Sequence, residues 1–161
     1  MIKGTYINSS VDFSSSRNFH LYKLKGELYK TFSRNTYRIL SYYHQGLNDI
    51  PRYHTTINKG SEIFAGIKEF QLFGNTLAFT RLEYRYRHKK DIFAHIIFSW
   101  LISAKSSNEE YFAENIWGAG LGLTLLSPLG PLVFIQSWGP DNIYNYNQIQ
   151  TNYHFSAGYK F

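Results

Sequence analysis

Six histidines are the first residues that could do chemistry: His20, His44, His54, His88, His95 and His154. The usual zinc and iron centres need ligands brought together by short, regular spacing. No His pair stands at i, i+2, and no carboxylate lies at a ligand-like offset. The six therefore read as polar side chains of loops or of a barrel interior. The chain has no Cys, which removes a thiolate nucleophile, a thiolate zinc site and a disulfide scaffold. No Gly-x-Ser-x-Gly elbow occurs, so a patatin-type lipase has no support. Ser and His are plentiful but unpatterned. No catalytic residue, no metal ligand and no cofactor are expected.

Charge forms the second candidate group: Lys23, Lys25, Glu27, Arg38, Arg81, Glu83, Arg85, Arg87 and Lys160. Lys and Arg number 17 against 11 Asp and Glu, a formal net charge of +6. Bases interleaved with aromatics would suit single-stranded nucleic acid. Here, however, the basic residues alternate along extended stretches and form no block, so nucleic acid is not expected. The alternation sends all nine to one face. Glu83 is the natural anchor, with Arg81 and Arg85 on either side. The group reads as a salt-bridged network in the lumen of a barrel.

The elements that would position these residues are strands. The 161 residues make one domain, residues 1–161. With 14 Tyr, 13 Phe and 3 Trp the chain is too aromatic to be disordered. No apolar run approaches the ~18 residues of a transmembrane helix, and Met1 to Gly4 opens without an apolar stretch, so no signal peptide is visible. Period-two alternation predicts eight strands: Lys3 to Phe13, Phe19 to Phe32, Thr36 to His44, Thr76 to Arg87, Ile92 to Ser103, Ile116 to Ser127, Leu132 to Trp138 and Thr151 to Phe161.

Each strand has an apolar face with aromatic ends and a polar or glycine-rich face. Trp117, Ala119, Leu121, Leu123 and Leu125 lie opposite Gly118, Gly120, Gly122 and Thr124. A soluble barrel would turn the apolar face inward, and a membrane barrel turns it outward. Most predicted strands approach the ~9–11 residues of a tilted membrane strand. Short turns at 33–35, 88–91 and 128–131 fall at one end, and the longer connections 45–75, 104–115 and 139–150 at the other. That asymmetry is the outer-membrane pattern. The expected fold is all-β: an eight-stranded antiparallel transmembrane β-barrel with a periplasmic C-terminus. Side chains fill so narrow an interior, so the stretch 45–75 is expected outside it or across its mouth. The strands at 92–103 and 132–138 are apolar on both faces, which fits a partly dry interior or a partner-covered exterior.

The C-terminal part carries a resemblance. The stretch Gly118 to Phe134 resembles the penultimate hairpin of the bacterial surface antigen superfamily. That superfamily includes BamA-type assembly factors, two-partner secretion translocases and the barrels of patatin-like proteins. Tyr153 to Phe161 is similar to its last strand, and Asn75 to Arg85 to the strand that follows its inward-folding loop. Phe64, Ala65 and Gly66 sit where that loop carries an Arg-Gly-aromatic latch. The Arg is replaced by Ala65, and the Asp-x-Gly that receives it by Phe98-Ser99-Trp100-Leu101. Both charges are gone together, whereas losing one would strand a buried charge. The family's POTRA modules and half of its sixteen strands have no counterpart in these residues.

The resemblance implies a location in the outer membrane, lipid as surroundings, and the barrel assembly machinery as partner during insertion. Tyr153, Phe155, Tyr159 and Phe161 would be the insertion signal. The expected role is non-enzymatic, structural or interacting, in the assembly of outer-membrane proteins or lipids. The alternative is a translocation or transport pore, formed by two chains as a composite sixteen-stranded barrel. A homodimer is also expected from the broad apolar outer face. A lipid-modifying enzyme is the third class.

Overall fold

Successive side chains of a strand point to opposite faces, so alternation of apolar and polar residues is satisfied by a pleated ladder. The computed structural model describes residues 3–15, 20–47, 64–67, 74–105, 112–140 and 148–158. These form one antiparallel sheet of β1 (Lys3–Ser15), β2 (His20–Phe32), β3 (Asn35–Leu47), β4 (Thr76–Lys89), β5 (Ile92–Lys105), β6 (Phe112–Ser127), β7 (Gly130–Pro140) and β8 (Ile149–Ala157), paired in chain order. Among the described residues no ladder joins β1 to β8.

Most strands run past their predicted ends. β3 reaches Leu47 and β6 begins at Phe112. Backbone pairing continues where side-chain alternation has already faded, because the ladder needs only N–H and C=O groups. β8 is described to Ala157, and Tyr159, Lys160 and Phe161 lie outside the described residues. The hairpins β2–β3, β4–β5 and β6–β7 turn on Ser33-Arg34, Lys90-Asp91 and Pro128-Leu129. All three lie at the end towards which β8 runs, as the sequence predicts.

The two faces differ as sharply as the sequence pattern requires. On one, Leu24, Ile39, Leu82, Phe98, Trp117 and Phe155 are exposed, Trp117 by 50% and Phe155 by 67%. On the other, Glu27, Arg81, Glu83, His95, Ser99, Thr124, Ser137 and Asn152 are buried. Large apolar side chains outside and buried charges inside invert the order of a water-soluble protein, although part of the inner face is apolar too.

The stretch 45–75 corrects one expectation. Of its described residues, Phe64 to Ile67 lie on the inner face and are fully buried, neither outside the sheet nor across its mouth. Phe64 packs edge-on against Phe79 of β4 with ring centroids 6.0 Å apart, while Gly66 rests on the main chain of Gly139 in β7. The segment is fully buried on one face of the sheet, so the sheet curls around it. Side chains alone do not fill this interior, because glycines on β6 and β7 leave room along the wall for a piece of main chain.

Candidate functional site

The curled inner face has two layers. Towards the long connections it is apolar: Leu40, Phe64, Ile67, Leu77, Phe79, Leu101 and Ile116 form one buried cluster, with Tyr42 packed against it. Ala65, Ile97 and Ile135 form a second, flanked by Val133. The inward apolar residues of β5 and β7 thus belong to a dry interior, the first of the two readings of their sequence.

The segment 64–67 is seated by its backbone. Gly66 has φ of +93°, a conformation that only glycine adopts without strain. A Cβ there would lie 2.6 Å from Gly139 Cα and the Trp138 carbonyl oxygen. A Cβ at Gly118 would overlap the Ala65 carbonyl. Two hydrogen bonds fix the register: the Ala65 N–H donates to Ser99 Oγ at 2.9 Å, and Asn152 Nδ2 donates to the Gly66 carbonyl at 2.7 Å. The structure thus brings Ala65 to Ser99, the two places where the resemblance locates an arginine and its receiving wall. A neutral hydrogen bond between small groups stands there instead of an ion pair. At the return of the chain, His44 Nε2 lies 2.6 Å from the Gly74 carbonyl.

Towards the short hairpins the interior is ionic, and its centre is Glu83. Arg38 lies directly across the β3–β4 ladder from it and bridges two carboxylates, Glu83 and Glu27, each at 3.1 Å. Arg81 and Arg85 reach Glu83 from its own strand at 3.3 and 3.2 Å. Residues two apart on a strand share a face, which is why i±2 arginines meet the same carboxylate. Lys25 closes on Glu27 at 2.8 Å, and the Tyr29 hydroxyl donates to it at 2.9 Å. The Arg38 guanidinium also stands over the Tyr29 ring, 5.5 Å from its centroid.

Of the nine charged residues singled out from sequence, Lys25, Glu27, Arg38, Arg81, Glu83 and Arg85 meet in this layer. Arg87 instead reaches the Ser33 carbonyl at 3.5 Å, at the hairpin end. Lys23 is half-buried farther along β2, and Lys160 lies outside the described residues. Tyr153 and Phe155 are exposed on the outer face; Tyr159 and Phe161 lie outside the described residues.

Sequence reasoning read His95 as a polar loop or interior side chain and set Thr124 on the polar face of its strand, but did not join either to Glu83. His95 Nδ1 is 2.7 Å from Glu83 Oε1, and its Nε2 is 2.8 Å from Thr124 Oγ1. Both ring nitrogens are thus engaged, one by the carboxylate and the other by the hydroxyl. The line crosses β4, β5 and β6. His95 shares a face with Ile97, Ser99 and Leu101, so its inward direction was legible. Its partner was not, because His95 pairs with Arg85 in the ladder and meets Glu83 only on the diagonal.

Two comparisons bear on this arrangement. A family model described as the Omp85 superfamily domain matches residues 3–161, nearly the whole sequence. No curated protein matches the chain.

Proposed function

The chain belongs to the Omp85 superfamily, and from that premise we propose that it is a non-enzymatic integral protein of the bacterial outer membrane that serves the assembly of other outer-membrane proteins. One observation carries the membrane reading: the sheet exposes Leu, Ile, Phe and Trp outside and buries its ion pairs inside. Lipid is the solvent that favours that order. The short hairpins and the C-terminus then face the periplasm.

The Glu83–His95–Thr124 line has the connectivity of a hydrolase relay, but its surroundings argue for a structural role. Glu83 is shared with three arginines, and Thr124 is buried in the interior of the wall. Its hydroxyl stays a member of the network that ties three strands. The assembly role is tested by folding an unfolded outer-membrane barrel into lipid vesicles with and without this protein present. The expected result is faster folding with it than with an equal amount of an unrelated eight-stranded barrel. Equal rates would end this reading.

The second reading is a translocation or transport pore. In a single chain closed on itself the buried segment and the ionic layer fill the inner face, and the expected result in planar bilayers is then no steady conductance. Stable open channels from the purified protein would favour the pore.

Insertion gives a further expectation. Tyr153 and Phe155 present an alternating aromatic edge to the lipid side, and Phe161 ends the same period. Deleting Phe161 is expected to lower the yield in the outer-membrane fraction of cells, while refolding from urea into detergent stays nearly intact. Equal cellular yields would remove the terminal residue from the signal.

A further inference from the structure

We propose that two copies of this chain join edge to edge, β1 of each against β8 of the other, into one wall of twice eight strands, with Phe64–Ile67 of each copy lining the interior. This rests on the outer-membrane reading above.

The argument begins with the sheet edges. β1 offers a 13-residue edge and β8 a 9-residue edge, and no ladder joins them among the described residues. In hydrocarbon, unsatisfied backbone groups find no water to bond, so an open sheet does not persist there. Only two partners of known sequence can supply the strands: the same chain, by closing on itself, or a second copy.

The interior decides between them. A closed eight-stranded barrel has an interior that its own side chains just fill, or that holds one small ligand. Here a stretch of main chain, with the side chains of Phe64 and Ile67, shares that room. Closing β1 on β8 around it asks the curl to tighten where Gly66 already touches Gly139, and Ala65 already touches Gly118. Expelling the segment would permit closure, at a heavy cost. Ser99 would lose the Ala65 amide, Asn152 would lose the Gly66 carbonyl, and the inner wall along Gly118, Gly120 and Gly139 would have no side chains to fill the void. Buried polar groups without partners and unfilled cavities are both disfavoured. Pairing with a second copy satisfies both edges and keeps the segment.

The topology permits it. Because the strand order is sequential and antiparallel, β1 and β8 run in opposite directions through the sheet. A two-fold axis along the membrane normal therefore sets β8 antiparallel to the partner's β1 at both seams. The same surface serves each copy, as a closed two-fold assembly requires. Neither seam needs a further chain, so the assembly stops at two.

Because the native chain has no Cys, the seam can be read by cross-linking. One set of variants carries a single Cys in β1, at Ile7, Ser9 or Val11, together with a mass tag. The other set carries a single Cys in β8, at Thr151, Tyr153 or Phe155, without a tag. Both are expressed in the same cells and oxidised in the isolated outer-membrane fraction. The expected product is a mixed disulfide of one tagged and one untagged chain, with a particle mass in detergent of about twice 18.9 kDa of protein. A chain carrying both cysteines should then form interchain bridges. Bridges only within the doubly substituted chain, or a particle of single-chain mass, would overturn the proposal while leaving the membrane reading intact. Absence of the protein from the outer-membrane fraction would overturn both.

Discussion

Glu83→Ala is expected to lower stability by about 3–5 kcal/mol, the usual cost of removing one partner of a buried ion pair. Glu83 is 5% exposed and receives Arg38, Arg81, Arg85 and His95. Without it, Arg81 and Arg85 lose their common carboxylate, and His95 loses the group that orients its ring. Arg38 keeps Glu27, so the defect centres on β4 and β5. The measurement is the temperature at which the compact folded form converts to the unfolded form in a heat-modifiability gel. By the scaling of soluble domains this size, the loss corresponds to roughly 6–20 °C. Glu83→Gln keeps the volume and one acceptor but not the charge, and should fall between the alanine variant and the parent. An unchanged conversion temperature for Glu83→Ala would mean that water reaches the site, and that the inner face is not the dry, ion-paired layer described.

Gly118→Val is expected to unseat the inner segment. Its Cβ would overlap the Ala65 carbonyl oxygen, which belongs to main chain and has no rotamer by which to yield. If the segment leaves, Phe64 and Ile67 come out of a fully buried setting, at about 1.5–3 kcal/mol each. Ser99 and Asn152 then stay behind without their partners, at roughly 1–3 kcal/mol each. Two readouts separate this from a general loss of fold: cleavage within residues 60–75 by a protease added in detergent, and the heat-modifiability temperature. Gly26→Ala is the matched control, since a Cβ at Gly26 meets nothing within 4 Å. Protection equal to that of the control would show that the segment does not bear on β6.

The fold class was legible because it depends on period alone. In β6, Trp117, Leu121 and Leu123 against Gly118, Gly120 and Thr124 fix which way each residue points, whatever strand lies beside it. The same parity assigned Glu27, Arg38, Arg81, Glu83 and Arg85 to one face, and they meet there. Turn composition placed the three short hairpins at one end. These are local properties, and a sequence read in steps of two contains them.

The partners across the sheet could not be read in this way. That Arg38 stands opposite Glu83, and that His95 reaches Glu83 on the diagonal, follows from ladder register. Register is set by turns and by packing of whole faces, and a shift of one residue would reverse every side chain. The position of Phe64–Ile67 was still less accessible. Counting strands gives a barrel too narrow for a loop, which places the segment outside it or across its mouth. What makes room for it is the meeting of three glycines, Gly66, Gly118 and Gly139, more than fifty residues apart in the cases that matter most. Each reads alone as an ordinary strand or loop glycine. Only when the sheet curls do their missing side chains coincide, leaving space for main chain where Ser99 and Asn152 can bond it.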